Sequence, residues 1–407
     1  MSKPFEAYIF RPNNLDYVPG VTINLPSAPF ALLDALEKAG IANERDIYHV
    51  EVTDGWPDCL PRFIPESANL YELNHLAQRL SAMSERELNC FEGMVMMDSI
   101  KTEYAPISVE RLINMTHSTD DCQIIYEAHN DKSLGRFYVE NDFPVIPENI
   151  PEALYELLDY EAIGRKERMA EGGVFTEKGY VVHGGEMAQV YKSGDAVPLK
   201  KSGSTIMLEV CRGYFNDPAY DGSLSEFPLL PTDDGILDRT AAQVEAASIE
   251  ECSIRAADCI VPRLTELISD SLYASEGDCY GAVNELALQL QKLERSGQLY
   301  TYKAMVEAAP QDITLEEAID LAGQVGWFSV IKDAASPAAY AKDTLSKYYI
   351  ELQDELFSCA NLDRYGKRLV EENGIALTGY GALRSMDGRT VDQCQNRESP
   401  MKGMEMK

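Results

Sequence analysis

Asn69–Leu80 reads NLYELNHLAQRL, and Tyr280–Leu290 reads YGAVNELALQL. Laid over one another, Leu73-Asn74-His75-Leu76-Ala77 falls on Val283-Asn284-Glu285-Leu286-Ala287. In both stretches apolar residues recur every three or four positions, so each predicts a helix with one face buried. Asn69, with Glu72 three residues on, has the form of a capping box that opens the first helix.

Further matches occur in the same order along the chain, as expected of a doubled architecture. VTINLP (Val21–Pro26) is answered by TIMLEV (Thr205–Val210), and Phe91-Glu92-Gly93-Met94-Val95 by Tyr302-Lys303-Ala304-Met305-Val306. ISVERLIN (Ile107–Asn114) is answered by ITLEEAID (Ile313–Asp320), where Thr314 and Glu317 make a capping box. CQII (Cys122–Ile125) corresponds to FSVI (Phe328–Ile331). AIGRKERMAEGGVFT (Ala162–Thr176) corresponds to RYGKRLVEENGIALT (Arg364–Thr378), sharing Gly164/Gly366, Gly172/Gly374 and Thr176/Thr378. Around these lie a helix over FALLDALEKAGI (Phe30–Ile41) that stops at Gly40, a strand over DIYHVEV (Asp46–Val52) and a helix over Glu85–Ser99.

The pattern predicts an elongated α+β protein of several subdomains, with two collinear repeats of small sheets and helices. A first repeat over 1–186 divides at about 66 and 125, a linker spans 187–203, and a second repeat spans 204–392 with an insertion at about 212–270. Residues 393–407 read as a flexible tail.

Charge narrows the function. Asp and Glu number 67 against 36 Lys and Arg, a net of −31. Residues 1–190 carry −17 of this and the remainder −14, so the acidity belongs to both halves. A field of that sign repels nucleic acid and acidic membranes and attracts basic surfaces. The N-terminus has no signal-peptide pattern and no apolar run is long enough to cross a bilayer, which suggests a cytoplasmic protein. Nine scattered cysteines without a CxxC pair read mostly as reduced thiols.

Catalytic signatures are few. The five histidines make no HExxH, and there is no GxSxG elbow, Walker loop or GxGxxG fingerprint. Glu127, His129 and Asp131 alternate as metal ligands on a strand would, though a polar surface turn explains them better. DPAYDG (Asp217–Gly222) lacks calcium ligands at Ala219 and Pro228. His183-Gly184-Gly185 reads as a turn. Arg165, Lys166 and Arg168, with Glu161 and Glu167 beside them, read as a helix surface with local ion pairs. Neither a cofactor nor a metal is called for. The candidate partner-binding residues are the acids of the first repeat: Asp54, Asp58, Glu66, Glu72, Glu85, Glu87, Glu92, Asp98, Glu103 and Glu110. With the leucine faces turned inward, these carboxylates are expected to project outward and to engage a basic channel as phosphates would.

The order AYIF, VTINLP, a helix ending at KAGI, then ANLYELNHLAQRLSAMSERELNCFEGMV resembles the ArdA antirestriction family of bacterial mobile elements. The stretch from ISVERLIN through EGGVFTEKGYVV and the later RYGKRLVEENGIALTGYGALRSMDG resemble long antirestriction proteins of the same kind. The resemblance implies a non-enzymatic, often dimeric mimic of B-form DNA that occupies the DNA site of a type I restriction-modification enzyme. This chain departs from the compact pattern in being about twice as long and internally repeated. An acidic interaction scaffold of a mobile element or an unfamiliar enzyme are the alternatives.

Overall fold

The computed structural model describes residues 5–12, 20–41, 47–55, 57–141, 151, 154, 157–195, 203–217, 224–233, 235–274, 279–348 and 359–394. The central part of the expected linker (196–202), most of DPAYDG and the end of the tail (395–407) lie outside these residues. The fold is α+β, built from helices and four three-stranded sheets among the described residues. It divides into two compact units, the first comprising Met1–Ile9, Thr22–Ser27 and Tyr48–Pro198, the second Phe10–Val21, Ala28–Ile47 and Leu199–Lys407.

Strands β1 (Phe5–Phe10), β2 (Val21–Leu25) and β3 (His49–Asp54) make a sheet of order β2-β1-β3, and helix α1 (Pro29–Lys38) lies between β2 and β3 in sequence. Period-two burial of Phe5, Ala7 and Ile9 places one face of β1 in the core. Helices α2 (Leu70–Ala82), α3 (Glu85–Lys101) and α4 (Val109–Thr116) follow. Next come β4 (Cys122–Ile125), helices α5 (Asp131–Glu140) and α6 (Tyr160–Glu171), then β5 (Val174–Thr176) and β6 (Gly179–His183). This second sheet is antiparallel with order β4-β6-β5, Cys122 facing His183 and Thr176 facing Gly179.

The second unit begins its own strands at β7 (Ile206–Arg212), followed by β8 (Leu229–Leu230), α7 (Ile236–Gln243), β9 (Cys252–Cys259) and α8 (Leu264–Ala274). Helices α9 (Tyr280–Arg295), α10 (Leu299–Ala308) and α11 (Leu315–Ala322) come next, then β10 (Phe328–Ile331), α12 (Pro337–Tyr348), α13 (Leu362–Asn373), β11 (Ala376–Thr378), β12 (Gly381–Ser385) and the single turn α14 (Val391–Cys394). The sheet orders are β8-β7-β9 and β10-β12-β11.

The central strand of one sheet is β1 and that of another is β7, so TIMLEV holds the place of FEAYIF and not, as its sequence suggests, that of VTINLP. The place of β2 is taken by β8, and each of the two ends at a proline, Pro26 or Pro231. The residue after that proline is clamped alike in both units. Asn74 Oδ1 accepts from the Ser27 amide at 2.7 Å and its Nδ2 donates to the Ser27 carbonyl at 3.0 Å. Asn284 treats Thr232 in the same way, at 3.1 and 3.0 Å. The asparagine shared by the two opening helices is therefore the residue that pins a strand end to each helix. Leu73, Leu76 and Leu80, like Val283, Leu286 and Leu290, are buried.

Local signals explain most boundaries. The Asn69 side chain accepts from the amides of Tyr71 and Glu72, as an N-cap should, but Glu72 does not return the bond because it is bound elsewhere. Thr314 and Glu317 do form the reciprocal box, as do Ser84 and Glu87. Gly172 and Gly374 end α6 and α13 in the left-handed conformation, with φ of 70° and 58°. Gly135 and Gly164 let α5 and α6 pack backbone to backbone: a Cβ on Gly164 would overlap the Asp131 carbonyl oxygen, and one on Gly135 the Tyr160 carbonyl oxygen. Gly366 meets the Pro337 carbonyl likewise. Gly164→Ala is therefore expected to force the hairpin apart, lowering stability by about 3 kcal/mol through overpacking, read as a reduced urea midpoint.

Two segments are held more firmly than their composition suggests. Residues 188–195, in the expected linker, are tied down by side chains: Ser118 Oγ accepts from Ala188 N, and Asn114 Oδ1 accepts from both Val190 N and Tyr191 N. Helix α1 has no side-chain cap of its own at Ala28, and seats within the second unit instead. There Asp258 Oδ2 accepts from Phe30 N at 2.7 Å, and Lys303 Nζ reaches Asp34 and Glu37, each at 2.7 Å. Tyr380 also donates to Asp34, while Phe30 joins the apolar core of Leu286, Leu290, Tyr302 and Met305.

Candidate functional site

The carboxylates singled out in the first repeat fall into three groups. Asp54 at the end of β3, Asp58 in the turn after it, Glu66, Glu85 in the first turn of α3, and Glu103 are exposed. Each sits at the end of an element or in a turn, where the chain faces water and no core position is available. Glu103 holds a φ of 53°, turning the chain out of α3.

Glu87, Glu92 and Glu110 are half-buried. Hydrogen bonds from the Ser84 side chain and amide hold the Glu87 carboxyl below its usual range, so its charge is spent on the α3 cap. Glu110 accepts from Ser193 N at 3.2 Å. Glu92 is pushed up by burial and then by the neighbouring charges of Glu177 and Asp58. Glu177 and Asp58 are thus near enough to Glu92 for their charges to raise it, while Lys178, bridged to Glu85 at 3.3 Å, acts in the opposite sense. Glu177 is not among the candidates that the sequence singles out. The signal for it is TEKG between β5 and β6, a hairpin tip that must be exposed, carried beside α3 by the close contact of Gly93 with Val181.

Glu72 and Asp98 do not project outward, contrary to expectation. Glu72 lies beneath the 188–195 segment, where Oε1 accepts from Ser193 Oγ at 2.6 Å, Gly194 N at 2.9 Å and Tyr191 OH at 3.2 Å. Asp98 is buried against α4 and takes a two-pronged bond from Arg111, with Nε–Oδ2 at 2.9 Å and Nη2–Oδ1 at 2.5 Å. Their desolvated charges are offset by these partners. Both are structural carboxylates.

Several charged side chains of the second unit are used internally. Asp258, near the end of β9 as Asp54 is at the end of β3, is buried and caps α1. Burial lifts the Asp258 carboxyl to about 6 against the pull of the Phe30 and Cys259 amides. That lies above the roughly 3.9 of an unfolded aspartate, so the native state keeps the proton longer. Stability contributed by this group is greatest at low pH and is lost as pH rises from about 4 to about 6, by an amount on the order of 3 kcal/mol. Melts of the wild type and Asp258→Asn across that window check the sign, because the difference between them is expected to shrink as the pH falls.

On α10, the burial of Lys303 is overcome by Asp34 and Glu37, so that its ammonium is held above the usual lysine range. Glu209 is likewise paired with Arg255 across β7 and β9, at 2.6 Å. Asp54, Asp58, Glu66, Glu85 and Glu103, the exposed carboxylates of the candidate set, all lie in the first unit.

Other chemistry finds little support. Asp131 is bound by Arg168 at 2.7 Å and approached by Arg165 at 3.7 Å, which removes it from any metal set with Glu127 and His129. Among the described residues no group of three His, Cys, Asp or Glu side chains is arranged to hold a metal. Arg165 also pairs with Glu161 at 2.7 Å, as local helix pairing requires. No helix among the described residues is long and apolar enough to cross a membrane.

Residues 16–182 match the family model of Antirestriction protein (ArdA). No curated protein matches the chain.

Proposed function

We propose that the chain, whose residues 16–182 match the family model of Antirestriction protein (ArdA), acts as an acidic mimic of DNA. In this reading its exposed carboxylates occupy the DNA-binding site of a type I restriction-modification enzyme or a related DNA-targeting defence complex. The observation that carries the reading is the set Asp54, Asp58, Glu66, Glu85 and Glu103, exposed on short, well-anchored elements, with Glu92 and Glu177 adding a second focus. A basic channel that meets such a surface releases bound anions as it would on meeting phosphates, so the mechanism is competition and involves no bond breaking.

We further propose that the two halves arose by duplication. The paired asparagine clamps, the two sheets ordered β4-β6-β5 and β10-β12-β11, and the Thr176–Gly179 and Thr378–Gly381 turns support this. One chain then supplies two related scaffolds, the first keeping five carboxylates of the candidate set exposed and the second using Asp258 to seat α1.

The test is retrieval of defence complexes by the tagged protein, followed by restriction of unmodified DNA and duplex-DNA competition at several salt concentrations. Inhibition is expected to fall steeply with salt. Failure to bind any DNA-processing enzyme, together with unrelieved restriction, would overturn the reading. A second reading, an interaction scaffold, is favoured by exposed apolar side chains such as Tyr214, Leu224 and Phe227 in the second unit. It requires binding that survives high salt.

A further inference from the structure

All nine cysteines are free, and within the first unit the thiol of one bonds to the backbone of another. Cys90 lies in the middle of α3 and Cys122 opens β4; both are buried. The Cys122 Sγ donates to the Cys90 carbonyl oxygen at 3.9 Å, which sets the Cys122 thiol against the Cys90 residue. Arg86, one turn before Cys90, donates to the Cys122 carbonyl at 2.9 Å and brings a guanidinium to the pair. No comparable arrangement joins Cys211 and Cys252. In the β7–β9 ladder Cys211 faces Ser253 and Cys252 faces Arg212, so their side chains leave opposite faces of the sheet.

We propose that Cys90 and Cys122 are a reversible redox site, closing to a disulfide under peroxide and reopening with thiol reductant. The chemistry balances without a metal or cofactor. One sulfur attacks hydrogen peroxide to form a sulfenic acid, and the departing hydroxide takes a proton to leave as water. The second sulfur displaces the sulfenic hydroxyl as another water, so two thiols lose two electrons and one peroxide is reduced.

Cys90 is fitted to the first step. The hydrogen bond from Cys122 favours its thiolate, burial opposes this and Arg86 assists, so that Cys90 sits below the ordinary thiol range while Cys122 is pushed up. Attacking and resolving sulfurs are thereby distinguished.

Access comes from topology. β4 is a four-residue strand at the edge of its sheet, held by β6 alone, and Asp120, Asp121 and Gln123 beside Cys122 are exposed. Short edge strands open at low free-energy cost. Closing the disulfide pins that edge to α3, which carries Glu85 and Glu92, although the site stands whether or not those carboxylates bind a partner.

The experiment treats the full chain with a small excess of hydrogen peroxide, alkylates remaining thiols and maps peptides without reduction. The expected product is a crosslink joining the Cys90 and Cys122 peptides, removed by dithiothreitol, with a melting temperature raised by several degrees in the oxidised protein. Cys122→Ser is expected to abolish the crosslink and leave Cys90 as a dimedone-reactive sulfenic acid. The proposal is overturned if prolonged oxidation modifies exposed Cys359 while Cys90 and Cys122 stay reduced. It is equally overturned if they oxidise singly without joining in the wild type.

Discussion

Replacing Asp54, Asp58, Glu66, Glu85 and Glu103 together by their amides is expected to weaken inhibition of the target nuclease by roughly a hundredfold to a thousandfold. All five are exposed, so each charge is screened and contributes only about 0.5–1 kcal/mol to a basic partner. Five such contributions give on the order of 3–4 kcal/mol, the stated range. Single replacements are expected to change affinity by no more than about fivefold. The salt slope of competition should also flatten as the charges go. Glu72→Gln and Asp98→Asn are the contrasting controls. Both carboxylates are buried and bonded, so these variants should lower the urea midpoint and leave the affinity of the folded protein nearly intact. Wild-type inhibition by the five-fold variant would remove the carboxylate surface from the mechanism.

The second large effect concerns stability. Lys303 is 4% exposed and is held between Asp34 and Glu37, with Tyr380 bonded to the same Asp34. Lys303→Met preserves most of the side-chain volume but leaves two carboxylates without their ammonium. Loss of one partner from a buried ion pair costs about 3–5 kcal/mol. Part of this is offset because Lys38 lies 3.6 Å from Asp34. The expected result is a drop in the denaturation midpoint of the second unit, partly restored by adding Asp34→Asn to the same chain. A double variant no more stable than Lys303→Met alone would show that the charge pair is not what holds α1.

What was legible in the sequence was local. Asn69 and Thr314 announce helix starts because capping uses neighbours two or three residues away. The paired Gly172/Gly374 and Thr176/Thr378 announce a helix stop and a strand turn for the same reason. What failed depended on distant partners. Nothing near Glu72 says that Ser193 and Gly194 will return to bind it, and Asp98 meets Arg111 only because α3 and α4 pack. TIMLEV resembles VTINLP as a string, whereas strand position is set by neighbours in the sheet. Of the candidate site, exposure at turns and element ends was readable, but the grouping of Glu92 with Asp58 and Glu177 required the fold.

The seating of α1 has a consequence for anyone who would cut the gene. The family match closes at residue 182, and that looks like a natural place for a stop codon. Yet Phe10–Val21 and Ala28–Ile47, near the start of the chain, belong to the second unit, where Asp258 and Lys303 await α1. A fragment ending at 186 would keep every exposed carboxylate of the candidate surface and still release a helix with an uncapped start and a bare Phe30. The length of chain that carries the function and the length that can be expressed as a sound protein are therefore different lengths.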